Sequence, residues 1–152
     1  MRLVILGCGR VGSTLAATMS AGGHEVTIID RNSEAFDRLG PTFAGRTVIG
    51  VGIDEDTLRQ AGIEQADAFV AVTNGDNTNI MAVQIVREMF HVPRVLCRIY
   101  DPIRAEVYRE LGIDTICATT MAVGVLHDLL LDLPQKPLDH YLHLGRSDPR
   151  PE

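Results

Sequence analysis

The sequence predicts an α/β protein in three layers: a doubly wound, six-stranded parallel sheet with helices on both faces. Three observations predict it. Short β-branched runs alternate with amphipathic helical stretches along most of the chain. A glycine cluster stands directly between the first run and the first helix, and an acid, Asp30, closes the second run. Alternation of this kind requires parallel pairing, because each helix returns the chain over a face of the sheet in the right-handed sense.

Taken in order, Arg2 to Leu6 reads as a strand, and Arg10 to about Ala21 as a helix with Val11, Leu15 and Met19 among its apolar positions. Glu25 to Ile29 gives the second strand, Ser33 to Leu39 a short helix, and Thr47 to Val51 the third strand, completing a βαβαβ half. The second half repeats the scheme with a helix near Asp56 to Ala61, a strand at Ala68 to Val72 and a long helix from about Asn77 to Phe90. A strand at Val95 to Ile99, a helix near Ile103 to Leu111 and a strand at Thr115 to Cys117 follow. The last helix spans about Thr119 to Leu131, and Pro134 stops it. Residues 1–133 are therefore expected to form the domain. Residues 134–152, with Pro137, Gly145, Ser147, Pro149 and Pro151 and no amphipathic period, are expected to form a tail that orders only on finding a surface.

Composition narrows the function. With 152 residues, 45% of them hydrophobic, the chain can bury one real core but leaves no room for a second catalytic domain. A formal net charge of -6 opposes a general nucleic-acid binder, which needs clustered Lys and Arg to release counterions, and reads as solubility. No apolar run approaches the roughly 20 residues of a membrane span, and Met1 leads into a strand rather than a signal peptide, so the expected location is cytoplasmic. Cys8, Cys97 and Cys117 are odd in number and lie among apolar residues, which predicts buried free thiols rather than disulfides or a zinc site.

Gly7-Cys8-Gly9-Arg10-Val11-Gly12 fits G-x-G-x-x-G between a strand and a helix, the fingerprint of a Rossmann dinucleotide site. Gly7 allows the sharp turn, Gly9 lets a pyrophosphate approach the main chain, and Gly12 lets the helix pack closely while its N–H groups face the anion. Asp30 ends the second strand, where an acid accepts hydrogen bonds from ribose hydroxyls and repels a 2′-phosphate, which disfavours NADP. Arg31 is either a solvated charge or a guanidinium for adenine or phosphate. Thr73-Asn74-Gly75-Asp76 falls on the same carboxyl edge, as pocket lining or as a helix cap. Arg98, a cation within an apolar strand, requires an anion, whether a ligand phosphate or an internal carboxylate. None of His24, His91, His127, His140 and His143 ends a core strand, so no catalytic base or metal ligand is expected; His140 and His143 share at most a helical face in the tail.

With these residues in hand, the chain from Met1 to about Leu131 resembles the N-terminal domain of the TrkA/RCK (KTN) family of potassium transporter and channel regulators. The resemblance extends through Ala61-Gly62-Ile63, Ala66-Asp67, Ala71-Val72-Thr73-Asn74, Asn79, Arg98-Ile99 and Leu111-Gly112-Ile113-Asp114. It implies a non-catalytic regulatory subunit that binds NAD(H) or ATP/ADP through residues 7–12, Asp30, Thr73, Asn74 and Arg98. It also implies that Arg10 and Arg98 together direct charge to the terminal phosphate of ATP. Three departures stand out: Gly50-Val51 replaces the frequent Gly-Asp, the usual proline is absent near Ala118-Thr119, and the C-terminal RCK lobe has no counterpart. The first shifts adenine-edge contacts to the main chain of Gly52 and Ile53 or to the side chain of Asp54.

As implied partners, the resemblance gives a membrane potassium transporter or channel subunit at the inner face of the membrane, and further copies of the chain in a homodimer or larger homo-oligomer. It implies neither nucleic-acid binding nor direct membrane insertion. The face of the last helix carrying Met121, Val125, Leu126, Leu129 and Leu130 is either the subunit contact or packing on the helix's own sheet. Two other readings compete. An NAD-dependent oxidoreductase, or a detached cofactor domain of one, would recruit Asp76 or Asp101 as acid or base, and an interaction module with a vestigial pocket would bind no nucleotide.

Overall fold

The computed structural model describes residues 1–142; His143, Gly145, Ser147, Pro149 and Pro151 lie outside the described residues. Two compact units divide the chain, the first Met1–Arg98 and the second beginning at Ile99. The first unit contains β1 (Arg2–Leu6), α1 (Arg10–Ala21), β2 (Glu25–Asp30), a 3-10 segment at Ser33–Leu39, β3 (Arg46–Ile49) and α2 (Glu55–Gln60). A 3-10 turn at Ile63–Gln65, β4 (Ala68–Ala71), α3 (Asp76–Phe90) and β5 (Arg94–Arg98) complete it. The second contains α4 (Pro102–Glu110), β6 (Asp114–Ile116), α5 (Ala118–Leu130) and α6 (Leu138–Leu142).

The strands form one six-stranded sheet in the order β3-β2-β1-β4-β5-β6. β1 pairs in parallel with β2 on one side and with β4 on the other, and β2–β3 and β4–β5 are parallel too. The direction of winding reverses between β1 and β4, so right-handed crossovers place α1 and α3 on opposite faces. Burial agrees with that layering: β1 is buried at its last four residues, which alternate between the two faces. On the face that receives α1, Leu3, Ile5, Val26 and Ile28 pack with Ala16, Ala35 and Leu39. Ile5 and Ile28 are fully buried, and each contributes about 1.5–3 kcal/mol from removing its side chain from water.

Local signals set the element boundaries. Gly23, at φ +80°, ends the first helix in a left-handed turn, with His24 N–H donating to the Met19 carbonyl. Ser33–Leu39 forms a 3-10 segment rather than an α-helix, begun by the Asn32 side chain accepting from Glu34 N–H. The third strand stops at Ile49 instead of Val51, because after Gly50 N–H bonds the Asp30 carbonyl the chain folds into a turn closed by Asp54 N–H on Val51. Asp54 then caps α2, accepting from the N–H and hydroxyl of Thr57 at 2.9 Å each.

In the second unit, Asp101 caps α4 and Pro102 occupies its first turn. The inward positions of α5 are Thr120, Gly124 and Asp128, polar or small, whereas Val123, Leu126, Leu129 and Leu130 point outward, Leu130 at 81% exposure. On α4 the apolar Ile103, Val107 and Leu111 are likewise exposed. Part of the expected tail does find a surface: α6 packs on α5, with Tyr141 buried and its hydroxyl donating to Asp128 at 3.0 Å. The Tyr141 oxygen also accepts from Lys136 N–H at 2.9 Å.

The Asp128 carboxyl is held below its ordinary range first by the His127 ring, then by the Tyr141 hydroxyl and Lys136. A lowered folded-state pKa stabilises the fold fully above the ordinary carboxylate value of about 4, and that stabilisation is lost as pH falls through the folded value. The protection factor of the Lys136 amide, its exchange relative to the unstructured rate at the same pH, is expected to fall in Tyr141→Phe, and to fall in the wild type below about pH 4. Unchanged protection in both cases would mean that this bond does not hold α6.

Candidate functional site

The glycine loop closes on itself. A Cβ on Gly12 would lie 1.8 Å from the Gly7 carbonyl oxygen and 3.2 Å from a Val72 methyl, so α1 starts closer to the sheet than any side chain at 12 would permit. Gly7 has φ +103°, and a Cβ there would meet the main chain of Thr73 at 2.9 Å. Gly9 differs from both: a Cβ there meets nothing within 4 Å, and its φ of −79° suits any residue. Gly7 and Gly12 are therefore needed by the fold, and Gly9 leaves bare main chain facing open space. No side chain caps α1 and no acid sits in its first turn, so the positive end of the helix dipole is uncompensated at this point.

Asp30 is locked beside that loop. Its Oδ2 accepts from Cys8 N–H at 2.7 Å and its Oδ1 from Asn32 N–H at 2.9 Å. Each oxygen retains a lone pair, so the half-buried carboxylate can accept two further donors such as ribose hydroxyls. The buried Cys8 thiol donates to the Ala35 carbonyl at 3.2 Å. Burial, and then the charge of Asp30, push its pKa up to about 11, and burial with Asp76 pushes Cys97 to about 12. Neither sulfur is a nucleophile near neutral pH; Cys8, Cys97 and Cys117 are all free and buried.

At the ends of β4 and β5 a second cluster forms. Arg98 Nη2 donates to the carbonyls of Val72 and Thr73, 2.9 Å each. Thr73 is in turn bound by Asn79, which the site expectations did not include. Asn79 is fully buried; its Oδ1 accepts from Thr73 N–H and hydroxyl, and its Nδ2 donates to the carbonyls of Thr73 and Arg98. An Asn in the first turn of a helix is so often a solvated residue that its type gave no pointer to this role.

Of the expected site residues, Gly7, Cys8, Gly12, Asp30, Thr73 and Arg98 thus form one connected set. Arg10, Val11, Arg31 and Asn74 are exposed along the same carboxyl edge; the exposure of Val11 departs from its expected place on the apolar face of the helix. Gly52 is buried, with no space for a Cβ against Leu6, and Ile53 is half-buried beside it. Asp54 uses Oδ2 for both the N–H and the hydroxyl of Thr57. Gly75, rather than Asn74 or Asp76, occupies the cap position of α3, so the cap reading of that tetrapeptide does not hold for its polar side chains. A cavity of about 560 Å³ opens at the opposite, amino-terminal edge among Arg2, His24, Glu25 and Arg46, away from these groups.

Residues 3–119 match the family model of the TrkA-N domain. The chain belongs to that family. Over 138 residues it is 52% identical to the Trk system potassium uptake protein TrkA of Streptomyces coelicolor, an alignment covering 91% of this chain and 62% of that protein. The TrkA-N chain thus spans less than two thirds of that curated relative. The GsuK RCK domain superposes with a TM-score of 0.72 at 26% identity, over 86% of this chain and 28% of that one. The GsuK channel bound to NAD and GsuK bound to ADP each superpose at 0.66 with 20% identity, over 81% of this chain and 22% and 32% of theirs.

Two single methyl groups separate what the loop does for the fold from what it offers a ligand. Gly12→Ala is expected to destabilise by about 3 kcal/mol or more, since main chain must move to admit the methyl. Gly9→Ala is expected to stay within about 1 kcal/mol of wild type in thermal unfolding. The same methyl narrows the approach to the bare main chain at the α1 N-terminus, which a Cβ-free Gly9 leaves open. Equal stability losses in the two variants would contradict the assignment.

Proposed function

We propose that this chain is a cytosolic adenine-nucleotide-binding regulatory part of a potassium transport system, and that it catalyses no reaction. The observation that carries the reading is the carboxyl edge of the first unit, where bare main chain at Gly9 and the helix N-terminus stand beside a carboxylate fixed by two N–H groups. In a doubly wound sheet this arrangement takes a pyrophosphate on residues 7–12, with ribose hydroxyls on Asp30. The base then extends toward Gly52 and Ile53, beyond the Asp30–Ile49 pair of the β2–β3 ladder. Arg10 and Arg98 supply positive charge for further phosphates, Arg31 a guanidinium for base or phosphate, and Thr73 and Asn74 the far wall.

The ligand class is NAD(H) or ATP/ADP, in keeping with the NAD and ADP in the GsuK structures. Three observations support a binding rather than a catalytic role. The two thiols with raised pKa values stay protonated, Asp101 is committed to capping α4 through Ile103 and Arg104, and the relatives are potassium uptake proteins. No helix among the described residues is long and apolar enough to cross a membrane.

The apolar outer face of α5 supports homo-oligomerisation. Each exposed leucine there gains about 1.5–3 kcal/mol if fully buried by a second copy. For a nucleotide to act as a signal it must bind one subunit arrangement better than another, by about 1–3 kcal/mol in a typical allosteric system.

Titration calorimetry with ATP, ADP, NADH and NAD tests the pocket: at least one nucleotide binds, and Asp30→Ala weakens it about tenfold or more. An ATP preference that disappears in Arg10→Ala marks phosphate sensing, whereas an NADH preference indifferent to Arg10 marks a dinucleotide sensor. Binding of none of the four overturns the reading. Sedimentation across a dilution series tests assembly: the wild type is expected to associate and Leu126→Glu/Leu130→Glu to sediment as a monomer. A wild type that is monomeric with and without nucleotide would remove assembly from the mechanism.

A further inference from the structure

The β4–β5 ladder ends at Ala71 and Cys97. Beyond it, the side chain of Asn79 bridges the two chain ends. Asn79, from the first turn of α3, is fully buried and uses every hydrogen-bonding position that an amide has. Its Oδ1 accepts from Thr73 N–H at 2.9 Å and from the Thr73 hydroxyl at 2.7 Å. Its Nδ2 donates to the Thr73 carbonyl at 3.0 Å and to the Arg98 carbonyl at 2.9 Å. Two donors on one side and two carbonyls on the other fix which way the amide faces.

The Arg98 side chain crosses the same gap in the opposite direction, to the carbonyls of Val72 and Thr73. The Thr73 carbonyl therefore receives both Asn79 and Arg98, and a closed circuit results: Asn79 holds the main chain of Arg98, whose side chain holds Thr73, which Asn79 holds again. Thr73 also forms the wall against which Gly7 turns, at a separation that excludes a Cβ on Gly7. The circuit thus ties the guanidinium to the phosphate loop.

We propose that Asn79 is a positioning residue that sets how strongly the pocket responds to phosphate charge, by fixing the main chain from which Arg98 projects and the carbonyls that orient its guanidinium. The inference rests on the nucleotide reading above. No other small side chain can replace the amide: aspartate brings no donor for the two carbonyls, serine brings one, and alanine leaves buried polar groups of Thr73 and Arg98 without this partner. Asn79 itself touches no ligand in this scheme and acts only through Arg98.

The test is the ratio of ATP to AMP affinity, by calorimetry, in wild type, Arg98→Ala, Asn79→Ser and the double variant, with thermal unfolding recorded for each. Arg98→Ala is expected to narrow the ratio about tenfold by weakening ATP, and Asn79→Ser to narrow it to a similar extent. In the Arg98→Ala background, Asn79→Ser is expected to change the ratio less than about twofold, because its effect passes through the missing guanidinium. A purely structural Asn79 would weaken ATP and AMP equally and leave the ratio intact, or narrow it equally in both backgrounds; either result overturns the proposal.

Hydrogen exchange on the wild type provides a second reading that does not depend on the folding of Asn79→Ser. ATP is expected to protect the Thr73 amide, which Asn79 accepts, more than AMP does, and equal protection overturns the proposal. A wild type that binds neither nucleotide, or a ratio unmoved by Arg98→Ala, identifies failure of the pocket reading itself, and the role of Asn79 falls with it.

Discussion

The site depends on the contact between Gly12 and the Gly7 carbonyl. Because a methyl at residue 12 would lie 1.8 Å from that oxygen, the first turn of α1 sits directly on the end of β1. That closeness brings the helix N-terminus to the carboxyl edge of the sheet and exposes main chain at Gly9. It also holds Cys8 where its N–H reaches Asp30 in the next strand. Turn, dipole and carboxylate are thereby consequences of one steric condition rather than three separate adaptations.

Electrostatics in the loop follows from the same closure. The Asp30 carboxylate accepts from two N–H groups, whereas burial and then the charge of Asp30 push the Cys8 thiol up to about 11 and keep it neutral. The positive side of the site is built differently. Arg98 emerges from the end of a strand, and its Nη2 donates to the carbonyls of Val72 and Thr73.

Sequence reasoning reached the fold because its signals are local and repeated. Six β-branched runs, the helical periods between them and the glycine motif between β1 and α1 all depend on near neighbours. Asp30 was legible for the same reason, as an acid at a strand end a set distance beyond the motif. What stayed hidden depended on contacts distant in sequence. Asn79 binds Thr73 six residues earlier and Arg98 nineteen later, and the Val72 and Thr73 carbonyls that Arg98 reaches lie about twenty-five residues before it. The helix Leu138–Leu142 stands in a stretch whose composition reads as a tail, and it orders through Tyr141 and a buried aspartate on α5.

α5 reverses the usual relation between hydropathy and burial, and that reversal bears on what the domain is for. A helix that served only its own sheet would bury its leucines; this one buries Thr120, Gly124 and Asp128 and exposes Val123, Leu126, Leu129 and Leu130. The small and polar inner stripe is sufficient for packing, since Asp128 is satisfied by Tyr141 and His127. The outer stripe gains nothing for an isolated chain and exposes apolar surface to water, a cost that becomes a driving force only when another surface covers it.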